Sequence, residues 1–152
     1  ELLDWIIAVS KRCRKMKWSG PYAGARAYPN GTLGILPGER PLSDLPLEIT
    51  PQDLRDRLAG GDRLRLIDCR EPWEHDLCRL EGAELVPMGD IPAALPRLEG
   101  DEAPLVVYCH HGIRSLRVAN WLRGQGVEQA HSLRGGIDRW SLEIDPAVAR
   151  YT

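Results

Sequence analysis

Residues Val106-Val107-Tyr108-Cys109-His110-His111-Gly112-Ile113-Arg114-Ser115 read VVYCHHGIRS. An apolar run that begins at Leu105 stops at a cysteine, and two histidines, a glycine, an arginine and a serine precede a helical pattern. A short strand with no polar alternation is the kind that a parallel sheet buries on both faces. Strand, tight loop and helix in that order put Cys109 at the carboxyl edge of the sheet, where open α/β folds hold their ligands.

Outward from this loop, strand patterns alternate with helical ones. Thr50-Pro51-Gln52-Asp53 is a helix start, with Thr50 as N-cap and Pro51 at the first helical position, and that helix closes at Gly60-Gly61. A strand over 64–68, a short helix over 71–77, a strand over 84–87 and a helix over 91–98 follow. Downstream of the strand over 105–108 come a helix over 115–123 closed by Gly124, a strand over 130–133, and a last helix that leaves Gly135-Gly136 and carries Trp140. This predicts an α/β domain over residues 47–145, built on a parallel sheet with helices on both faces. Residues 146–152 are read as a C-terminal tail. Residues 1–46 are read apart, as a helix over 1–17 with apolar positions 2, 6, 9, 13 and 16 on one face, then an arm or linker dense in proline and glycine.

Bulk composition narrows the class. The chain has 152 residues and a net charge of −2, which argues against general nucleic-acid binding. Charge is uneven, +3 over residues 1–46 and −5 over the rest, with a basic run at Lys11, Arg12, Arg14, Lys15 and Lys17. The four cysteines, Cys13, Cys69, Cys78 and Cys109, form no CxxC pair, so no metal site is expected. They are too sparse for a disulfide scaffold, which points to a reducing, cytoplasmic compartment. No secretory signal or membrane span is visible, since the apolar stretch over 2–9 is short and contains Asp4. The chain opens on Glu1, so a longer product is expected.

The loop after Tyr108 has a chemistry of its own. Backbone N–H groups there lack ladder partners, and with the first turn of the following helix they converge on one centre. Those donors, the positive helix end and Arg114 favour a thiolate at Cys109. Gly112 permits a backbone angle that other residues resist. An inert core cysteine would need no such sequence behind it, so Cys109 is taken as a nucleophile.

Four segments resemble the rhodanese family of sulfurtransferases. Residues 66–75, LIDCREPWEH, are similar to its IDVREPxEY segment; Leu80-Glu81-Gly82-Ala83 to its GHIPGA; residues 107–115 to its active-site loop; and residues 133–140, LRGGIDRW, to its LxGGxxxW. The resemblance implies a three-layer sandwich around a central, mainly parallel five-stranded sheet. It also implies sulfane-sulfur transfer through a Cys109 persulfide, from thiosulfate or a persulfide donor to a thiol, cyanide or protein acceptor, with no cofactor. Arg114 would close the loop beside the catalytic Cys109, and Ser115 would start the helix. His110, His111, Gly112, Ile113 and Ser115 would line the substrate. Asp68 and Arg70 would either buttress the loop or form a local salt bridge. Cys78-Arg79 and Glu81 depart from the family pattern.

Other thiols and imidazoles are assigned blander roles. Alternation turns Cys69 away from Asp68 and Arg70, toward core packing. Cys13 is packing on the first helix. Cys78 is placed at the surface, with a resolving thiol as the minor alternative, and His75 and His131 are structural. Two rivals remain: a cysteine phosphatase, whose loop carries five residues between Cys and Arg where this one has four, and a non-catalytic or sulfur-carrier module appended to a larger protein.

His110 and His111 stand where strong thiosulfate users often carry basic side chains, which weakens thiosulfate as the donor. If these imidazoles supply charge, thiosulfate turnover should rise as the pH falls from about 8 towards 6, around the ordinary histidine value of about 6.5. A flat profile in steady-state assays removes them from that role.

Overall fold

The computed structural model describes residues 45–100 and 103–152, and two short strands nearer the N-terminus. Strand β1 (Arg26–Ala27) pairs antiparallel with β2 (Leu33–Gly34) within a compact unit spanning Glu1–Glu39. The helix expected over 1–17, its basic run and Cys13 lie outside the described residues, as does the remainder of the linker up to residue 44. The second unit, Arg40–Thr152, carries the predicted α/β domain.

Its elements follow one another as β3 (Glu48–Ile49), α1 (Pro51–Ala59), β4 (Arg65–Asp68), α2 (Pro72–Leu77), β5 (Glu84–Leu85), a 3-10 turn (Met88–Asp90), α3 (Ile91–Glu99), β6 (Leu105–Tyr108), α4 (Ile113–Gly124), β7 (Ala130–Leu133) and α5 (Gly136–Glu143). The five strands lie in the order β3-β7-β6-β4-β5, and every pairing is parallel. The central β6 is buried along its whole length, as its unbroken apolar run requires. On one face, Ile67, Leu105 and Val107 pack against Ile91 and Leu98 of α3 and Val118 and Leu122 of α4. On the other, Leu66, Val106 and Leu133 pack against Leu54 of α1 and Ile137 and Trp140 of α5. Two helix layers around one sheet give the three-layer sandwich. Among the described residues no helix is long and apolar enough to cross a membrane.

Local signals set the element ends. The Thr50 hydroxyl accepts from the Asp53 N–H at 3.1 Å, capping α1 as the sequence predicts. Three expectations need correction. The fifth strand is Glu48–Ile49, two residues with no period to read; it is held by the Ser132 and Arg134 N–H groups, which donate to the carbonyls of Leu47 and Ile49 at 2.7 and 2.9 Å. Helix α4 begins at Ile113 and not at Ser115, so Ile113 and Arg114 belong to its first turn. Cys78 is buried and not at the surface: its Sγ lies 3.8 Å from Arg70 Nη1, under the turn that returns the chain to β5.

The loop after β6 is pinned by the first amides of α5. Ile137 N–H donates to the Cys109 carbonyl at 2.9 Å, and Asp138 N–H to the His110 carbonyl at 3.1 Å. Approach this close leaves no room at Gly136, where a Cβ would collide with both carbonyl oxygens and where φ is +63°. Gly136→Ala should therefore cost at least the roughly 1–2 kcal/mol of a left-handed non-glycine residue, with the clash added. Urea unfolding measures this, and a stability within experimental error of the parent would refute the pinning.

Candidate active site

Cys109 is the first residue beyond β6, and only 1% of its surface is exposed. A sulfur in that position reaches little water, so its charge state depends on protein donors. Gly112 N–H points at Sγ from 3.1 Å. That amide turns inward because Gly112 adopts φ +94°, a conformation suited to glycine. Gly112 also packs so tightly on Gly135 that a Cβ would press on the Gly135 nitrogen. The first intrahelical bond of α4 runs from Leu116 N–H to the Gly112 carbonyl. The amides before it, including that of Ser115, are free to face the sulfur.

The Cys69 thiol contributes most to the thiolate. It lies in the same cluster as Cys109; together with the amide and hydroxyl of Ser115 and the Gly112 amide it holds Cys109 down at about 5 despite its burial. The same contact, with burial, pushes Cys69 far above the ordinary thiol value. The pair thus shares one proton, kept on Cys69. The Ser115 hydroxyl is 3.1 Å from the Gly112 carbonyl and 2.8 Å from the Ser132 hydroxyl. Ser132 therefore fixes the rotor that aims at the loop, a role the sequence did not reveal.

Arg114 is held beside the loop by an ion pair. Its guanidinium forms two bonds of 2.7 Å to the Glu74 carboxylate, the bidentate arrangement of a strong ion pair. The first turn of α4 is thereby clamped to α2. Burial alone would raise Glu74; the bonds from Arg114, the Tyr151 hydroxyl and the Glu71 N–H hold it at about 2. Arg70, fully buried, bonds Asp68 at 2.8 and 2.6 Å, the Cys78 carbonyl at 2.6 Å and the Tyr151 hydroxyl at 2.9 Å. Tyr151 in turn donates to Glu74 at 2.6 Å. The two readings of Asp68 and Arg70 thus merge: they form a local ion pair, and the pair reaches the loop through Tyr151, Glu74 and Arg114. His75 bonds Asp68 at 2.9 Å and His131 bonds the Pro46 carbonyl at 2.8 Å, so both have structural partners.

Glu74 and Tyr151 were not identified from the sequence. Glu74 sits in the quoted segment over 66–75, and its spacing of three from Glu71, whose N–H it accepts at 3.0 Å, was an available cue. Tyr151 carried none. The C-terminal stretch brings its ring onto His110, 3.9 Å between centroids and nearly parallel, while His111 stacks on the other side at 3.7 Å. His111 and Ile113 are exposed at the loop surface. Burial and the neighbouring His111 hold His110 below its ordinary value, which favours its neutral form. Among the described residues, one group has metal-type donors in register: His110, His111 and Asp138, with ligand atoms within 4.8 Å of each other. The Asp138 carboxylate is bonded to Arg150 at 2.8 Å.

Comparison with known proteins matches residues 50–143 to the Rhodanese-like domain family. A "Probable adenylyltransferase/sulfurtransferase MoeZ" of Mycobacterium tuberculosis is 37% identical over 105 residues, 68% of this chain and 26% of that protein. The chain thus spans about a quarter of that relative's length. A "Sulfurtransferase" of Allochromatium vinosum is 34% identical over 102 residues, covering 67% of this chain and 94% of the relative. Among solved structures, the human single-domain sulfurtransferase TSTD1 is similar with a TM-score of 0.57 and 27% identity, covering 65% of this chain and 98% of that one.

The arrangement of donors sets a titration. A thiol lowered to about 5 is anionic at every pH above that value, whereas an ordinary cysteine ionises around 8.5. The ultraviolet thiolate absorbance lost in Cys109→Ser should therefore be complete by neutral pH and fall away only on acidification towards 5. A difference signal that grows through pH 8 to 9 would contradict the donor geometry.

Proposed function

The chain belongs to the rhodanese-like family, and from that premise we propose that it is a sulfurtransferase that carries sulfane sulfur on Cys109. The Cys109 thiolate attacks the outer sulfur of the donor. With thiosulfate the S–S bond breaks, sulfite leaves with the bonding pair, and Cys109 keeps a persulfide. An acceptor thiolate or cyanide then attacks the outer sulfur and restores the Cys109 thiolate. The observation that carries this reading is the Gly112 N–H aimed at Sγ from 3.1 Å at the mouth of α4. A donor so placed stabilises the thiolate before the reaction and the anionic persulfide after it. Arg114 acts as a positioning residue, holding the loop through Glu74.

A persulfide, on a small molecule or a protein, is the donor we favour over thiosulfate. His110 is shifted toward its neutral form and the Arg114 charge is matched by Glu74, so neither offers free positive charge to a dianion. The exposed Ile113 on the loop and the exposed Trp73, whose ring contacts Tyr151 edge-on at 5.9 Å, fit a protein donor or acceptor. Among the described residues Cys69, Cys78 and Cys109 are free thiols, which suits a reducing compartment such as the cytoplasm. Phosphatase action is disfavoured by the loop, which has only His110, His111, Gly112 and Ile113 between Cys109 and Arg114. The carrier-module alternative shares the same persulfide and differs in whether the acceptor is a fused or docked partner.

Incubation with thiosulfate or a low-molecular-weight persulfide, read by intact mass, tests the proposal. The parent should gain one sulfur atom, and Cys109→Ser should gain none and transfer sulfur to cyanide no faster than the uncatalysed background. No gain with either donor, or a gain that survives Cys109→Ser, overturns it.

A further inference from the structure

Both residues that follow the paired ends of β4 and β6 are cysteines. Asp68 and Tyr108 are register partners, and Cys69 N–H donates to the Tyr108 carbonyl at 3.0 Å, so the pairing continues one residue further and sets Cys69 beside Cys109. Alternation along the strands puts Ile67 and Cys69 on the same face as Val107 and Cys109, and all four share one apolar cluster. Adjacent strands lie about 4.8 Å apart, inside the roughly 4.4–6.8 Å of Cα separation that a disulfide spans. Both thiols are free and buried in the same cluster, and each shifts the ionisation of the other. Cys69 has no exposed surface, so the sulfur open to it is the one beside it. Cys78 lies in the cluster on the opposite face, against Arg70.

We propose that Cys69 is the resolving thiol of this site: it closes onto Cys109 as an intramolecular disulfide and expels what the Cys109 sulfur carries. For the persulfide, which rests on the function proposed above, Cys69 sulfur attacks Cys109 Sγ and the bond from Sγ to the outer sulfur breaks. The outer sulfur leaves with that electron pair and the Cys69 proton, as hydrosulfide. The sulfane sulfur is reduced and the cysteine pair is oxidised, so no external oxidant is needed. For a sulfenic acid formed when a hydroperoxide oxidises the Cys109 thiolate, the same attack releases water. The second activity is therefore sulfide release from an unclaimed persulfide, and the closed site reopens only when a thiol reductant cleaves the disulfide.

Cys69 is well placed for this on both sides of the reaction. While Cys109 is a thiolate, it holds the Cys69 proton and keeps that thiol quiet. Once Sγ carries a second sulfur, the negative charge moves outward to the loop amides, and the restraint on Cys69 is relieved. The Gly112 amide reaches Sγ from the loop at 3.1 Å and Cys69 approaches from the neighbouring strand, so an outer sulfur held by the loop amides would leave from a different side of Sγ than the one Cys69 attacks.

The test uses the full chain, reduced and freed of reductant, in two arms. In the first, the protein is loaded with thiosulfate or a small persulfide, desalted and followed by intact mass, sulfide assay and peptide mapping. The added sulfur should disappear as stoichiometric hydrosulfide, leaving a mass two hydrogens below the reduced chain and a bond between the peptides of Cys69 and Cys109. In the second, hydrogen peroxide alone should form the same bond. Cys69→Ser and Cys69→Ala, checked for folding by circular dichroism, should load more slowly, because the Cys109 thiolate loses its largest stabilising neighbour, but the fraction that loads should keep its persulfide without releasing sulfide, and peroxide should carry them on to the sulfinic acid. Decay to the reduced mass with no bond, a bond made to Cys78 or Cys13, or variants that release sulfide at the parent rate would overturn the proposal. A parent that gains no sulfur overturns the sulfurtransferase reading instead, and the peroxide arm then decides Cys69 alone; should both variants misfold, the mapped bond in the parent decides it.

Discussion

A thiolate buried at the end of a strand must find all its hydrogen bonds in the protein, and much of this fold is arranged by that requirement. Cys109 is almost without solvent, yet its thiol is held in the anionic range. An isolated buried charge costs far more than a small domain can offset. Donors must therefore converge, and the source at hand is the backbone that has just left the sheet. Gly112 turns its amide inward and starts α4 one residue later. Two N-terminal helix ends then divide the labour: α4 offers amides to the sulfur, and α5 takes the Cys109 and His110 carbonyls that would otherwise oppose the charge.

The second buried charge is Arg70, and it obeys the same rule. A fully buried guanidinium is tolerable only when its donors are matched, and here Asp68, the Cys78 carbonyl and Tyr151 match them. The consequence is mechanical. Asp68 belongs to β4, Glu74 to α2, Arg114 to α4 and Tyr151 to the C-terminal stretch, so a single run of ion pairs and hydrogen bonds ties these elements around the loop. Buttressing and local pairing are one network, because charges this deep cannot be satisfied one at a time.

The features legible in the sequence were those written contiguously. The apolar run into Cys109, the glycine in the loop and the Thr50 cap each depend on neighbours a few residues away, and they placed the sheet edge and the loop cysteine. Features that depend on remote pairing were hidden. β3 is two residues long and exists through its bonds to β7. Tyr151 reaches Glu74 across 77 positions, and Arg114 reaches the same carboxylate across 40. Cys78 looked exposed because its neighbours are polar, but Arg70 draws it inward. Alternation rightly turned Cys69 into the core; only the order β6 beside β4 discloses which core residue it meets.

That meeting places two demands on one sulfur pair. Cys69, with the Ser115 and Gly112 donors, favours the Cys109 thiolate in an apolar cluster, so the contact serves any chemistry at Cys109. A donor that close is also a nucleophile once its proton has another destination. Under the two proposals, transfer to an acceptor would proceed from the loop side, and resolution from β4 on the other side of Sγ. The two outcomes compete for the same persulfide, and their ratio is set by how soon an acceptor arrives. Under the proposal, a protein with an acceptor docked at the loop passes sulfur on, and one left without an acceptor lets it go as sulfide. The partner thereby gains control of the product without touching Cys69, since its arrival at the exposed Ile113 and His111 is all that distinguishes the two routes.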